Sequence, residues 1–322
     1  MNESTPPALQ ESASRPPTAW ELGSDRLFRT LTTLFSALTI ALVVFIVLQI
    51  SFTARPAIAQ YGFGFLTTDT WDAGKGQFGI RPAIWGTLYS SILGVGLATI
   101  LGVATAIFLT QDFLSPRVAL VLENIVKLLA AIPSVVYGLW GIFVLIPLLR
   151  PVADALHQSL GWIPFFGTRL AGPGLLPAAL VLAVMVLPTI TAISRDALAA
   201  VHPRIREAAY GLGATRWETI FGVILPTASR GIYASVLLAF GRALGETMAL
   251  AMLIGNNNEI RLSLFAPGNT LAALLANQFP EASRSEVPAL MFAALVLLAI
   301  TLAVNVLGTL VLASASRHVE VR

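Results

Sequence analysis

Six apolar runs constrain this chain more than anything else in it. They are Leu31–Phe52, Ile84–Leu109, Ala130–Leu149, Leu175–Ile193, Gly231–Ile254 and Pro288–Ala313. About 20 apolar residues cover the roughly 30 Å of bilayer hydrocarbon. Lipid offers no partner for backbone polar groups, so such runs cross as helices. The pattern predicts an all-α membrane protein with six transmembrane helices. Only 11% of the 322 residues are charged and 56% are hydrophobic, whereas a soluble domain carries about 25% charged residues. The absence of cysteine excludes disulfides, thiolate catalysis and cysteine-based metal sites. His157, His202 and His318 lack ligand spacing, and no metal site is expected. The net charge of +3 is modest, and the basic residues flank apolar runs. That distribution reads as membrane topology, not as a nucleic-acid patch.

Residues 1–26, with Pro6, Pro7, Pro16 and Pro17, are expected to be a disordered cytoplasmic tail ahead of a transmembrane domain over 27–322. Ala57-Ile-Ala59 mimics a signal-cleavage site. The preceding run, Leu27 to Phe52, is far longer than the roughly 7–15 residues of a signal core, so it is read as a retained span. Apolar character in the third run begins near Val118. One helix from there to Leu149 would measure about 48 Å, too long for one crossing. Glu123 and Lys127 stand at i,i+4 and Pro133 interrupts. Residues 118–129 are therefore read as an interfacial helix and the crossing as starting near Ala130. With the N-terminus inside, inner segments hold twelve Lys and Arg and outer loops seven. This favours both termini in the cytoplasm. The outer loops, 53–83, 150–174 and 255–287, are expected to carry short interfacial helices.

The inner loop over about 196–230 has helical order of its own. Ala197 to Tyr210 favours helix with Pro203 as an interruption; Gly211 and Gly213 break it. A second short helix can start at Thr215, and Pro226 marks entry into the fifth span. Ala208, Ala209 and Leu212 form a small apolar face flanked by Arg206, Glu207 and Arg216. Such a helix suits a groove on a soluble partner. A loop that only connects spans needs no glycine hinge between two helices.

Glu207-Ala-Ala, then Gly213, then Leu225-Pro226 resembles the EAA loop of ABC importer permeases, with Val223 where that family has Ile. The resemblance implies a coupling helix, carrying Glu207, Ala208, Ala209 and Gly213, that docks on an ATPase subunit. No phosphate-cradling G-x-x-x-x-G-K-[ST] stretch occurs here. Gly74-Lys75 comes nearest, but Asp69 stands where the first glycine belongs and no Ser or Thr follows. ATP is expected on partner subunits, this chain having no cofactor of its own and no enzymatic site.

The fifth run contains Arg242, roughly 17 Å deep by helix rise. A bare charge at that depth costs about 2.5–3.5 kcal/mol on insertion scales. Glu246, one turn on, can form an i,i+4 contact that offsets part of this. Gly241 and Gly245 make a G-x-x-x-G ridge on a neighbouring face. Two readings stand. Arg242 lines an anion path, for which its planar donor fork is suited, or it forms a structural ion pair with Glu246. In the first, Glu246 holds Arg242 or releases it when the cavity changes shape. In the third span, Pro133, Ser134, Tyr137 and Gly138 mark either a kinked packing helix or a hinge with polar lining, and Thr189 and Thr191 in the fourth are equally ambiguous.

Gly241–Ala249 and Ile254-Gly-Asn256 resemble phosphate permeases of the PstC type. So do Ala130–Gly141, Thr270–Phe279, Trp71-Asp, Phe78-Gly and Gly86-Thr-Leu, so the likeness runs from about residue 60 to the C-terminus. The resemblance implies a type I ABC importer architecture in a bacterial inner membrane. It implies a second permease of the PstA type, two ATP-binding subunits and an extracytoplasmic phosphate-binding protein. It also ties Arg242 and Glu246 to phosphate transport. A permease for molybdate or sulfate, a secondary transporter and a non-transporting sensor are the alternatives. Broken helices in two inverted halves would favour the secondary transporter, and the sequence displays none.

Overall fold

A computed structural model describes residues 18–111 and 113–317. Residues 1–17 of the expected tail lie outside the described residues, as do His318 and the C-terminal Arg322. Helix α1 spans Ala19–Tyr61. It begins inside the segment read as tail, because residues 19–26 are polar but contain no proline to stop the helix extending back. The chain divides into two compact units, up to Gln49 and from Ile50 onward. In the first, the hydroxyls of Thr30, Thr33 and Ser36 donate to carbonyls four residues earlier, which satisfies them without water.

The second unit contains α2 (Gly64–Thr67), a hairpin of β1 (Trp71–Asp72) and β2 (Gln77–Phe78), α3 (Arg81–Thr110) and α4 (Pro116–Ala131). There follow α5 (Ser134–Trp140), α6 (Ile146–Leu160), α7 (Leu175–Ala199), α8 (Pro203–Gly211) and α9 (Arg216–Thr219). The last are α10 (Leu225–Leu244), α11 (Met248–Leu253), α12 (Leu271–Gln278) and α13 (Val287–Arg317). Six stretches are long and apolar enough to cross a membrane: Leu22–Tyr61, Arg81–Thr110, Ser134–Leu160, Leu175–Ala199, Arg216–Leu244 and Val287–Ala313. Each overlaps one of the six expected runs. The first outer loop, expected to carry short helices, holds α2 and also the hairpin, where Trp71 pairs with Phe78.

Proline places the irregularities. Two π-helical turns, Gly141–Leu145 and Ile220–Ile224, join α5 to α6 and α9 to α10. Each directly precedes an Xaa-Pro pair, Ile146-Pro147 or Leu225-Pro226. Proline lacks an N–H and crowds the carbonyl four residues back, which a widened turn accommodates. Pro133 acts differently. It drives Ile132 to ψ 127°, so α4 ends at Ala131 and the crossing helix starts at Ser134, slightly later than expected. The helix expected over 118–129 is α4, which is somewhat longer. Glu123 on α4 pairs with Lys127 at 2.7 Å and with Arg195 on α7 at 2.6 Å. These two cations hold its carboxyl below the usual carboxylate range. The tie is worth at most about 1 kcal/mol at a surface, fading as pH falls through that lowered range.

Helix α7 is the central member of the unit, and small residues set its distances. A Cβ on Gly94 of α3 would lie 3.0 Å from the Ala179 carbonyl, and one on Gly231 of α10 would lie 2.3 Å from Ala197. Ser194 of α7 hydrogen-bonds Ser235 of α10 at 3.0 Å in the buried seam. Without water pressure between helices, close packing and such bonds hold the spans together.

At the end of the unit that carries α12, Phe65, Phe78, Ile80, Leu271 and Leu274 form a buried cluster. The Thr87 hydroxyl accepts the Leu271 N–H at 2.9 Å. Beside it, a Cβ on Gly86 would sit 1.9 Å from the Asn269 carbonyl oxygen. Backbone blocks that position and cannot yield as a side chain would. Gly86→Val is expected to destabilise by about 3 kcal/mol. The thermal midpoint of the purified protein, compared with that of Gly96→Val, whose site is open, checks this.

Candidate functional site

Two places concentrate polar groups in an apolar framework. The first is the loop between α7 and α10. Helix α7 stops at Ala199 and α8 begins at Pro203, with the His202 side chain accepting the Arg204 N–H at 3.2 Å as its cap. Pro203 therefore starts a helix instead of interrupting one, since its missing N–H is not needed in the first turn. Gly213 takes φ +85°, a left-handed conformation that suits glycine. Thr215 and Glu218 then form a reciprocal capping box for α9. The expected two helices and glycine hinge are present.

The apolar face is arranged differently from the expectation. Ala209 is buried against the bundle, whereas Glu207, Ala208 and Gly213 are exposed. Leu212 is 90% exposed, and Ile205 and Tyr210 also face outward. The loop is held from behind by contacts that sequence reasoning missed. Arg216 donates to the Gln111 carbonyl and stacks 3.8 Å from the Phe113 ring centroid. Phe113, Trp217 and Phe221 continue as a ladder of rings 5.2 and 5.7 Å apart. The i,i+4 pair Trp217 and Phe221 beside a basic residue was the available signal.

The second place is the fifth span, which is broken. Helix α10 ends at Leu244, Gly245 caps it, and α11 starts at Met248. The Thr247 hydroxyl donates to the Gly245 carbonyl at 3.0 Å, inside the gap. Arg242 lies in the last turn of α10, where the negative end of the helix dipole favours a cation. The expected i,i+4 contact is absent. None of the described ion pairs joins Arg242 to Glu246. The helix that would align them stops between them. The glycine ridge is also corrected: Gly241 does face a neighbour, 3.3 Å from the Asn305 amide for a Cβ, but Gly245 meets only its own helix end.

Arg242 is exposed and lines a cavity of about 440 Å³ with Thr189 of α7, Leu238 and Gly241 of α10, and Thr301 and Asn305 of α13. Glu246 is partly buried and does not line it. Asn305 and Thr301 were missed. A lone amide in the last apolar run was the legible signal. Thr191, by contrast, is buried with its hydroxyl unpartnered, against the Gly102 face of α3. Tyr137 donates to the Leu129 carbonyl at 2.8 Å across the Pro133 break, and Gly138 lets α5 approach Met252 of α11. Tyr137 and Gly138 are buried in these contacts, and Ser134 is partly exposed.

Residues 99–320 match the family described as binding-protein-dependent transport system inner membrane component. The chain belongs to this family. It is 40% identical over 265 residues to the phosphate transport system permease protein PstC of Mesorhizobium japonicum, covering 80% of each chain. It is 38% identical over 296 residues to the PstC of Haemophilus influenzae, covering 89% of this chain and 93% of that one. A chain of the bacterial alginate ABC transporter, solved with an alginate-bound periplasmic protein, superposes with a TM-score of 0.56 at 16% identity. It covers 88% of this chain and 94% of that chain. A chain of the inward-facing MetNI methionine ABC transporter gives 0.54 at 18% identity, over 73% of this chain and 94% of that one. These structures place the fold of this inner membrane component among type I ABC permeases.

Proposed function

We propose that this chain is a permease subunit of an ATP-driven importer that carries inorganic phosphate across the bacterial inner membrane. It pairs with a second permease of related fold, two ATP-binding subunits and an extracytoplasmic phosphate-binding protein. It holds no ATPase site or cofactor itself. Both termini are cytoplasmic, and residues 27–322 make up the transporting domain. Arg242 meets the anion, with Glu246 in the adjoining break, and the α8 loop with Glu207, Ala208, Ala209 and Gly213 couples to the ATPases.

The observation that carries this reading is an exposed guanidinium within an apolar span, beside a cavity, in a chain like permeases named for phosphate. A structural ion pair would need a carboxylate on Arg242, and no described ion pair supplies one. A free guanidinium presents paired N–H donors that fit two oxyanion oxygens at once. ATP binding closes the partner subunits and shifts the α8 loop, and differential contacts in two states convert that shift into alternating access.

Reconstitution of the complete transporter in vesicles tests this. Labelled phosphate is expected to accumulate with ATP and binding protein, and not without either. Uptake that ignores ATP would overturn the reading.

A further inference from the structure

The cavity around Arg242 mixes a pure donor with neutral groups, and this bears on which oxyanion it takes. The inference rests on Arg242 lying in the phosphate path. Guanidinium has N–H donors and no acceptor. Phosphate near neutral pH keeps at least one O–H, whereas sulfate is fully ionised. A cavity built of donors alone would satisfy sulfate and leave the phosphate O–H without a partner, which is costly away from water.

Asn305 removes that conflict. Its Nδ2 donates to the Thr301 carbonyl at 2.9 Å. A carbonyl only accepts, so the amide nitrogen is fixed on that side and the Oδ1 is left over as an acceptor. Among the described residues no donor is paired with that oxygen. Gly241 keeps the amide accessible, because a Cβ there would stand 3.3 Å from both of its polar atoms. The Thr301 hydroxyl gives its own proton to the Leu297 carbonyl at 2.8 Å, so its oxygen too has lone pairs to spare. Glu246, the other acceptor nearby in sequence, does not line the cavity.

We propose that the Asn305 Oδ1 is the hydrogen-bond acceptor through which the Arg242 cavity prefers a protonated oxyanion to a fully ionised one. Arg242 supplies attraction common to both anions, and Asn305 supplies the difference.

The test is equilibrium binding of labelled phosphate and labelled sulfate to the purified complete membrane complex without the outer binding protein. The wild type is expected to favour phosphate. Asn305→Leu keeps the side-chain size and removes the acceptor. It should weaken phosphate at least about tenfold and leave sulfate within about twofold. Gly241→Ala should act in the same direction by crowding the amide. Asn305→Asp retains an acceptor and adds a charge, so the ratio of phosphate to sulfate affinity should rise. It decides the matter should the leucine variant fail to assemble. A wild type without preference, an equal loss of both anions in Asn305→Leu, or a falling ratio in Asn305→Asp each overturns the proposal. Arg242→Ala separates the two levels. If it leaves both anions bound as before, the phosphate-path reading fails and takes this one with it. If it releases both while Asn305→Leu changes nothing, only the role of Asn305 falls.

Discussion

Arg242→Ala is expected to lower phosphate uptake by the reconstituted transporter at least about a hundredfold. Two charge-assisted hydrogen bonds are lost together, each worth about 1.5–3 kcal/mol. At 1.4 kcal/mol per factor of ten, even the lower figure exceeds that reduction. Arg242→Lys keeps the charge and loses the planar fork, so it should fall between the two. Assembly should survive in both variants. The side chain is exposed, takes part in no described ion pair and sits in the last turn of its helix. Labelled phosphate uptake in vesicles, read beside the thermal midpoint, separates transport from folding. Uptake within about threefold of wild type in Arg242→Ala would remove the residue from the path, since a lost fork must cost more than that.

What the sequence made legible follows from how far each feature depends on distant residues. The six spans were readable because lipid demands length and apolarity in one continuous run. Pro133 announced its break because the restriction acts on the neighbouring residue, Ile132. The break at Gly245 was not readable. Gly-Glu-Thr inside an apolar run fits a helix interior, and the spacing from Gly241 imitates a packing ridge. Only the packing of α11 against α5 and the π-helical turn after it, through Gly138 and Gly141, shows that the chain restarts there. Asn305 could be noticed as a lone amide, but its place beside Gly241 depends on how α10 meets α13. The Arg216 contacts with Gln111 and Phe113 join segments about a hundred residues apart, so the Trp217 and Phe221 pair beside Arg216 signalled a contact without naming its partner. Helix phase had the same weakness: Ala208 and Ala209 were equivalent in the sequence until the bundle buried one of them.

Leu212→Asp is expected to detach the ATPase subunits. Leu212 is 90% exposed, and it follows the C-terminus of α8 just before the Gly213 turn. Around it Ile205, Ala208 and Tyr210 also face outward, while Ala209 faces in. An apolar surface of this kind gains from burial in a partner's groove. The Arg216 stack on Phe113 ties the loop to the bundle, and the capping box fixes the start of α9. Docking here would use a preorganised surface, and ordering entropy would take little from the affinity. A carboxylate placed in the centre of such a contact forfeits the apolar gain and buries an unpaired charge. Central interface residues commonly contribute 2 kcal/mol or more, so a loss of about 30-fold or greater in affinity is expected. Co-purification of the ATP-binding subunits, followed by ATP-dependent uptake, measures it. Binding of phosphate near Arg242 should persist in the same variant, because the two places lie on different elements. Full recovery of the ATPase subunits with Leu212→Asp would show that this exposed surface is not where the energy enters.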